Sequence, residues 1–163
     1  MNSQILIKTN NFIKNRLVEL LGILLVFIGI FILASIASYS PSDPNFIYTP
    51  ESTVINNIGG FYGSVVSDFL LQSLGLISIF LAINFCYWGL KLAREKKIIN
   101  FTTKVFFTLA YIVFGTTVLN VLHNDSFWLI DNGNGGFVGS SIKENIFYFA
   151  PLIENIYVIY SFI

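Results

Sequence analysis

The sequence predicts an all-α integral membrane protein: a bundle of three to four transmembrane helices in two hairpins, with the N-terminus inside. Three observations predict it. Only 11% of the 163 residues are charged and 55% are hydrophobic, whereas a soluble domain carries about 25% charged residues. The apolar residues gather into uncharged runs of 20, 22 and 18 residues at Leu20–Tyr39, Phe69–Leu90 and Val105–Leu122. The pattern Gly-Gly-Phe-x-Gly-Ser occurs twice, at Gly59–Ser64 and Gly135–Ser140, and internal repetition is a statement about architecture.

The runs dictate helices. At 1.5 Å per residue, about 20 residues cross the ~30 Å hydrocarbon core, and the core offers backbone groups no water to bond. The charges dictate orientation. Lys8, Lys14 and Arg16 precede the first run, and Lys91, Arg94, Lys96, Lys97 and Lys104 flank the gap between the second and third. The other gaps hold Lys143 alone. Eight of nine basic residues therefore fall on one side, which is the cytoplasmic side. The loops Ser40–Ile58 and His123–Asn134, with acids Asp43, Glu51, Asp125 and Asp131, lie outside.

The first span covers about 17–39, behind a polar, basic stretch at the inner surface. It ends where Pro41 and Pro44 cannot continue a helix and Ser and Asp favour turns. A cleaved signal peptide is the alternative, with Ser35-Ile36-Ala37 as a tolerable site. Signal cores are about 7–15 residues, so the 20-residue run reads as a retained anchor.

The second span covers about 64–90 and opens on the first repeat copy. Gly59, Gly63 and Ser67 are four apart, as are Gly60 and Ser64; on a helix each set forms a small stripe that a second backbone can approach. Gly75, Ser78, Ala82 and Gly89 extend that surface. Tyr87-Trp88 before Lys91 is an aromatic belt at the inner boundary.

The third span covers about 103–122. Trp128 then reads as an interface anchor and Asn132–Gly135 as a turn. The second repeat copy, with Gly135, Gly136 and Gly139 as its packing glycines, opens a partial fourth span at about 146–163. Pro151 and Glu154 interrupt that span, and no basic flank follows, so it reads as cut short.

Catalytic chemistry finds no foothold in these residues. A phosphate-binding loop needs Gly-Lys-Ser/Thr, and no glycine in the chain is followed by lysine. Asp131–Gly136 looks faintly like a calcium loop, but Gly133 and Gly135 stand where oxygen ligands belong. Cys86 is the only cysteine, so no internal disulfide can form. Neither a catalytic residue, a metal site nor a cofactor is expected.

Two carboxylates fall within predicted spans, Asp68 and Glu154, and are the candidates for a polar membrane site. For Asp68, near the outer end, an interfacial or packing role is the simpler reading. Asn84 reads as glue between helices and His123 as a solvated or headgroup-facing group. The basic inner loop is explained by orientation alone, although anionic lipid or nucleic acid are conceivable ligands.

Several strings together resemble a known family. Ser38-Tyr39-Ser40-Pro41-Ser42-Asp43-Pro44, then Asn57-x-Gly59-Gly60-x-x-Gly63, then Asp68-x-Leu70-Leu71-Gln72-x-x-Gly75, then Trp88-Gly89-Leu90, resemble the N-terminal four-transmembrane region of the FtsK/SpoIIIE DNA translocases. The similarity is strongest over 17–97 and continues more weakly through Gly135–Gly139.

The resemblance implies a multi-pass anchor in the bacterial inner membrane. It implies that this anchor holds a cytoplasmic hexameric motor at the division septum, where the motor moves chromosomal DNA with ATP. It also implies contact with division proteins, possible self-association and access to DNA only through the motor. The chain departs from the family pattern in lacking the linker and motor and in its incomplete fourth span. The expectation is a non-enzymatic anchor, either a piece of a longer protein or encoded alone. Half of a small transporter or channel, built on the two-hairpin repeat, is the alternative; an accessory subunit of another membrane complex is the third reading.

Overall fold

The computed structural model describes residues 2–49, 54–98, 100–124, 129 and 132–149. Glu51, Asp125, Trp128, Asp131, Pro151 and Glu154, singled out above, lie outside them. Among the described residues five α-helices follow in order: α1 Asn2–Ala37, α2 Gly60–Leu74, α3 Ile77–Glu95, α4 Phe101–Leu122 and α5 Gly136–Phe149. No strand occurs among the described residues.

α1 is 36 residues long, about 54 Å. It exceeds the bilayer core and begins well ahead of Leu17, so the polar N-terminal stretch is helical too. Ser38 ends it: its amide reaches the Ala34 carbonyl at 3.1 Å and its hydroxyl donates to the same oxygen at 2.8 Å. α4 has 22 residues and closes with the His123 amide on the Leu119 carbonyl at 2.9 Å.

α1 and α3 form the principal helix pair. Small residues let their backbones approach. A Cβ added at Gly22 would lie 2.7 Å from the Gly89 carbonyl oxygen, and one at Gly89 would lie 2.6 Å from the Gly22 oxygen. Two turns further along α1, Gly29 packs against Ala82 and Cys86 in the same way. α4 joins α3 more loosely, through Asn84 Nδ2 donating to Thr108 Oγ1 at 3.0 Å. This is the inter-helix glue expected of an amide inside a span.

The second span differs from expectation. A single helix over 64–90 is not formed; the chain breaks at Gly75-Leu76, and α2 and α3 diverge by 117°. The cause is local and polar. Gly75 adopts φ 59°, ψ −143°, a region open essentially to glycine alone. Its amide closes α2 on the Leu71 carbonyl at 2.8 Å, and its carbonyl accepts from the amide of Ser78 at 3.1 Å and from the Ser78 hydroxyl at 2.7 Å. The amide of Leu76, freed by the break, donates to the Asn134 carbonyl at 3.0 Å. Hydropathy is blind to chain direction, and so the uncharged run Phe69–Leu90 concealed the bend.

α1 and α4 are each long and apolar enough to cross a membrane alone, and the bent α2–α3 pair makes a third candidate. α5 already begins at Gly136, ahead of the 146–163 segment, and carries Lys143 and Glu144 within it. α2 packs on the C-terminal part of α1, α5 packs on that of α4, and the two short helices touch each other. Together they form a cap over one end of the long helices.

The distribution of side chains is that of a membrane protein. Buried positions include Ser35, Ser64, Ser67, Ser78, Thr116 and Asn120 beside a core of Ile32, Ile36, Leu71, Ala82 and Leu129. The outer faces of α1, α3 and α4 expose large apolar residues, among them Phe27, Phe80, Phe106 and Phe114. Exposure of such a belt to water is unfavourable by roughly 25 cal/mol per Å², which the hydrocarbon core removes.

Candidate functional site

The two repeat copies adopt one geometry. Gly60 and Gly136 are each the first residue of a short helix, with φ 60° and φ 64°. The glycines around them press on the preceding long helix. Gly59 and Gly63 lie against Ser35 of α1, where a Cβ on either would come within 3.0 Å of the hydroxyl. Gly135 and Gly139 lie against Thr116 and Asn120 of α4.

Gly60 differs from a packing role: a Cβ there would meet nothing within 4 Å, so its glycine serves the turn. Gly136 serves both purposes, since it also abuts Ser73 and Gly75. Gly75 closes the contact from the other side against Asn134. Ser67 is fully buried, donating to the Ser64 carbonyl at 3.1 Å and accepting from Asn57 Nδ2 at 3.3 Å.

The Ser38–Pro44 string stitches the end of α1 to α2. Ser40-Pro41-Ser42-Asp43 closes a turn through the Asp43 amide on the Ser40 carbonyl at 3.1 Å, with proline at the position its fixed φ favours. This buries the Asp43 carboxylate at 2% exposure. Its Oδ1 accepts from the Asn56 amide and from Asn56 Nδ2, both at 3.0 Å, and its Oδ2 accepts from the Asn57 amide at 2.8 Å. Asn57, also buried, donates to the Ser35 carbonyl at 2.8 Å and accepts from the Gly59 amide at 2.9 Å. The Pro44 carbonyl receives the Ser64 hydroxyl at 2.7 Å.

Asp68 sits in a cleft of about 580 Å³ at the cap. Tyr39 donates its hydroxyl to Asp68 Oδ1 at 3.2 Å, and Asn45 Nδ2 donates to Oδ2 at 2.9 Å. Across the cleft Asn132 Nδ2 donates to Gln72 Oε1 at 2.8 Å. These bonds tie the end of α1, the loop after it and the turn before the second repeat copy to α2. They describe a carboxylate that organises a loop. Glu154, the other candidate for a polar membrane site, lies outside the described residues.

At the opposite end Glu19 of α1 binds Arg16 at 2.6 Å and Lys96, the left-handed residue that ends α3, at 3.1 Å. The α1–α3 hairpin is thus fastened by ions at the basic end and by hydrogen bonds at the cap.

Sequence reasoning missed Gly22 and Gly29, although their seven-residue spacing opposite Ala82 and Gly89 was a readable signal. It also passed over the Asp43 clasp, whose signal was an acid between two prolines answered by the Asn56-Asn57 pair.

The residues that make the clasp, the cleft and the glycine contacts are those a family model matches. The model of the 4TM region of DNA translocase FtsK/SpoIIIE covers residues 14–149, from the basic end of α1 to the end of α5. The chain belongs to this family. As an FtsK/SpoIIIE 4TM region it is similar to the DNA translocase FtsK of Azospirillum brasilense, 33% identical over 91 residues, covering 55% of this chain and 14% of that protein. It is similar to the DNA translocase FtsK of Rickettsia bellii, 27% identical over 154 residues, covering 94% of this chain and 20% of the relative. The Mesorhizobium japonicum DNA translocase FtsK is 23% identical over 133 residues, 82% of this chain and 15% of its own length. The 4TM region thus spans no more than a fifth of these three relatives. No solved structure matches it.

Proposed function

We propose that this 4TM region anchors a DNA-translocating motor in the bacterial inner membrane during cell division and chromosome segregation. The observation that carries the reading is the family match over residues 14–149 on a helical bundle whose outer faces are apolar. The chain's own part is mechanical and associative. Its helices partition into lipid, and its cap holds the two hairpins in fixed relation. ATP hydrolysis and DNA binding belong to the motor of the longer relatives, and no cofactor is needed here. Division proteins are the expected partners, together with further copies of the chain.

The basic flank of α1 and the Lys91–Lys104 segment favour an N-terminus in the cytoplasm and a cap in the periplasm. A reporter fused after residue 97 is expected to read cytoplasm, and one near Asn56 periplasm; the reverse pattern overturns the orientation. A fluorescent fusion of residues 1–163 is expected to gather at the septum. Uniform membrane labelling in dividing cells counts against the division role. The transporter alternative predicts ion or solute flux in proteoliposomes that Asp68→Asn abolishes. The bonding of Asp68 to Tyr39 and Asn45 favours a structural carboxylate instead.

A further inference from the structure

At the basic end, α1, α3 and the start of α4 enclose a groove of about 300 Å³. Its walls are Leu24 and Ile28 of α1, Trp88 of α3 and Phe101 of α4. Its mouth carries Lys91, Lys97 and Lys104, from α3, the connecting loop and α4. One carboxylate answers them, Glu95, which stands 3.8 Å from Lys91. The other nearby acid, Glu19, is engaged by Arg16 and Lys96. Among the described residues Lys97 and Lys104 have no ion-pair partner. The groove is therefore apolar inside and net positive at its opening.

We propose that this groove binds an anionic diacyl phospholipid, with one acyl chain along Leu24 and Ile28 and the phosphate among Lys91, Lys97 and Lys104. Helix orientation explains lysines at this end of the molecule, but not their convergence from three elements on one apolar slot. A chain and an anionic headgroup match both halves of the site, and a basic pocket between helices at the inner leaflet is the known form of such recognition. The bound lipid would also fill the space left where α4 meets α3 only loosely, so it would fasten α4 to the α1–α3 pair. The inference stands on the groove and is independent of the translocase reading.

The test is native mass spectrometry of the 163-residue chain in mild detergent with added phosphatidylglycerol or phosphatidylcholine. One phosphatidylglycerol is expected to be retained in preference, and each lysine near the phosphate contributes about fivefold. Lys97→Gln, on the loop, should lower that preference by up to this factor, whereas Lys14→Gln, which does not line the groove, should leave it intact. Leu24→Trp, which fills the slot and keeps every charge, should reduce retention of either lipid. Equal retention of the two lipids, or equal effects of Lys97→Gln and Lys14→Gln, overturns the site. Glycerol 3-phosphate held as firmly as the whole lipid overturns the role of the acyl chain. Unchanged helical circular dichroism in each variant excludes unfolding as the cause.

Discussion

The main-chain amide of Leu76 donates to the carbonyl oxygen of Asn134 at 3.0 Å. One residue lies at the break between α2 and α3, the other in the turn that opens α5. The bond therefore joins the α2–α3 break to the turn that leads into the second repeat copy, and pairs a donor that the bend would otherwise strand. Burying such an amide unpaired costs about 1–3 kcal/mol. The bend and the second copy's turn are thus mutually dependent features of the cap.

Gly75→Ala tests that dependence. The new Cβ would collide with the Asn134 carbonyl, and the backbone at φ 59° disfavours any other residue. Gly60→Ala is the control, since it shares the positive φ but points its Cβ into open space. Strain alone costs about 1–3 kcal/mol, so Gly60→Ala should fall in that range and Gly75→Ala should exceed it. Thermal unfolding in detergent measures both. Equal losses would falsify the docking of the break on Asn134.

Asp43→Ala removes the acceptor of three hydrogen bonds and leaves the amides of Asn56 and Asn57 without it. The unpaired buried donors should cost roughly 2–5 kcal/mol, taking 1–3 for each of two amides with partial relief by water. Asp43→Asn keeps one carbonyl oxygen and should lose less. Limited proteolysis of the segment between α1 and α2 is the readout. Cleavage rates that do not rank Ala above Asn above the parent chain would remove the clasp from the account.

Much of this was legible beforehand, for physical reasons. Uncharged runs report burial in hydrocarbon, so α4 and the C-terminal end of α1 could be placed within a few residues, whereas the polar start of α1 at Asn2 carries no such signal. The repeat reported that Gly59 and Gly135 occupy equivalent positions, and both do press on the helix before them. The bend was not legible because Gly75 can be absorbed in a helix or can end one; the choice is made by Ser78 and Asn134, the latter remote in sequence. The cleft escaped for a similar reason. Asp68 meets Tyr39 and Asn45 only because Pro41 turns the chain back over α2. Gly22 and Gly29 were overlooked because a glycine inside an apolar run reads as filler until the facing helix is known.

Asn84→Leu should weaken the α3–α4 contact only modestly. It deletes one amide bond to Thr108 at 3.0 Å and a longer one to Tyr111 at 3.4 Å. Bonds of this kind contribute about 0.6 kcal/mol on average within membranes, because unfolded helices find other partners there. Steric trapping or titration with a denaturing detergent should register a small loss. A loss several times larger would mean that Asn84 organises more of the bundle than its described contacts account for.

The α1–α3 interface offers the most severe test of the fold. Gly22 and Gly89 face one another with backbone atoms where a methyl group would have to go, and backbone cannot swing aside as a side chain can. Gly22→Ala and Gly89→Ala should therefore each separate the helices, at about 1–3 kcal/mol, the usual cost of overpacking. Gly115→Ala is the matched control: its added Cβ would meet only the end of the Ile77 side chain, 2.7 Å from Cδ1, which can change rotamer. Because Gly22 and Gly89 share one contact, the double variant should lose less than the sum of the single losses. Additive losses would show that the two glycines act separately and that this pair does not set the closest approach of α1 to α3.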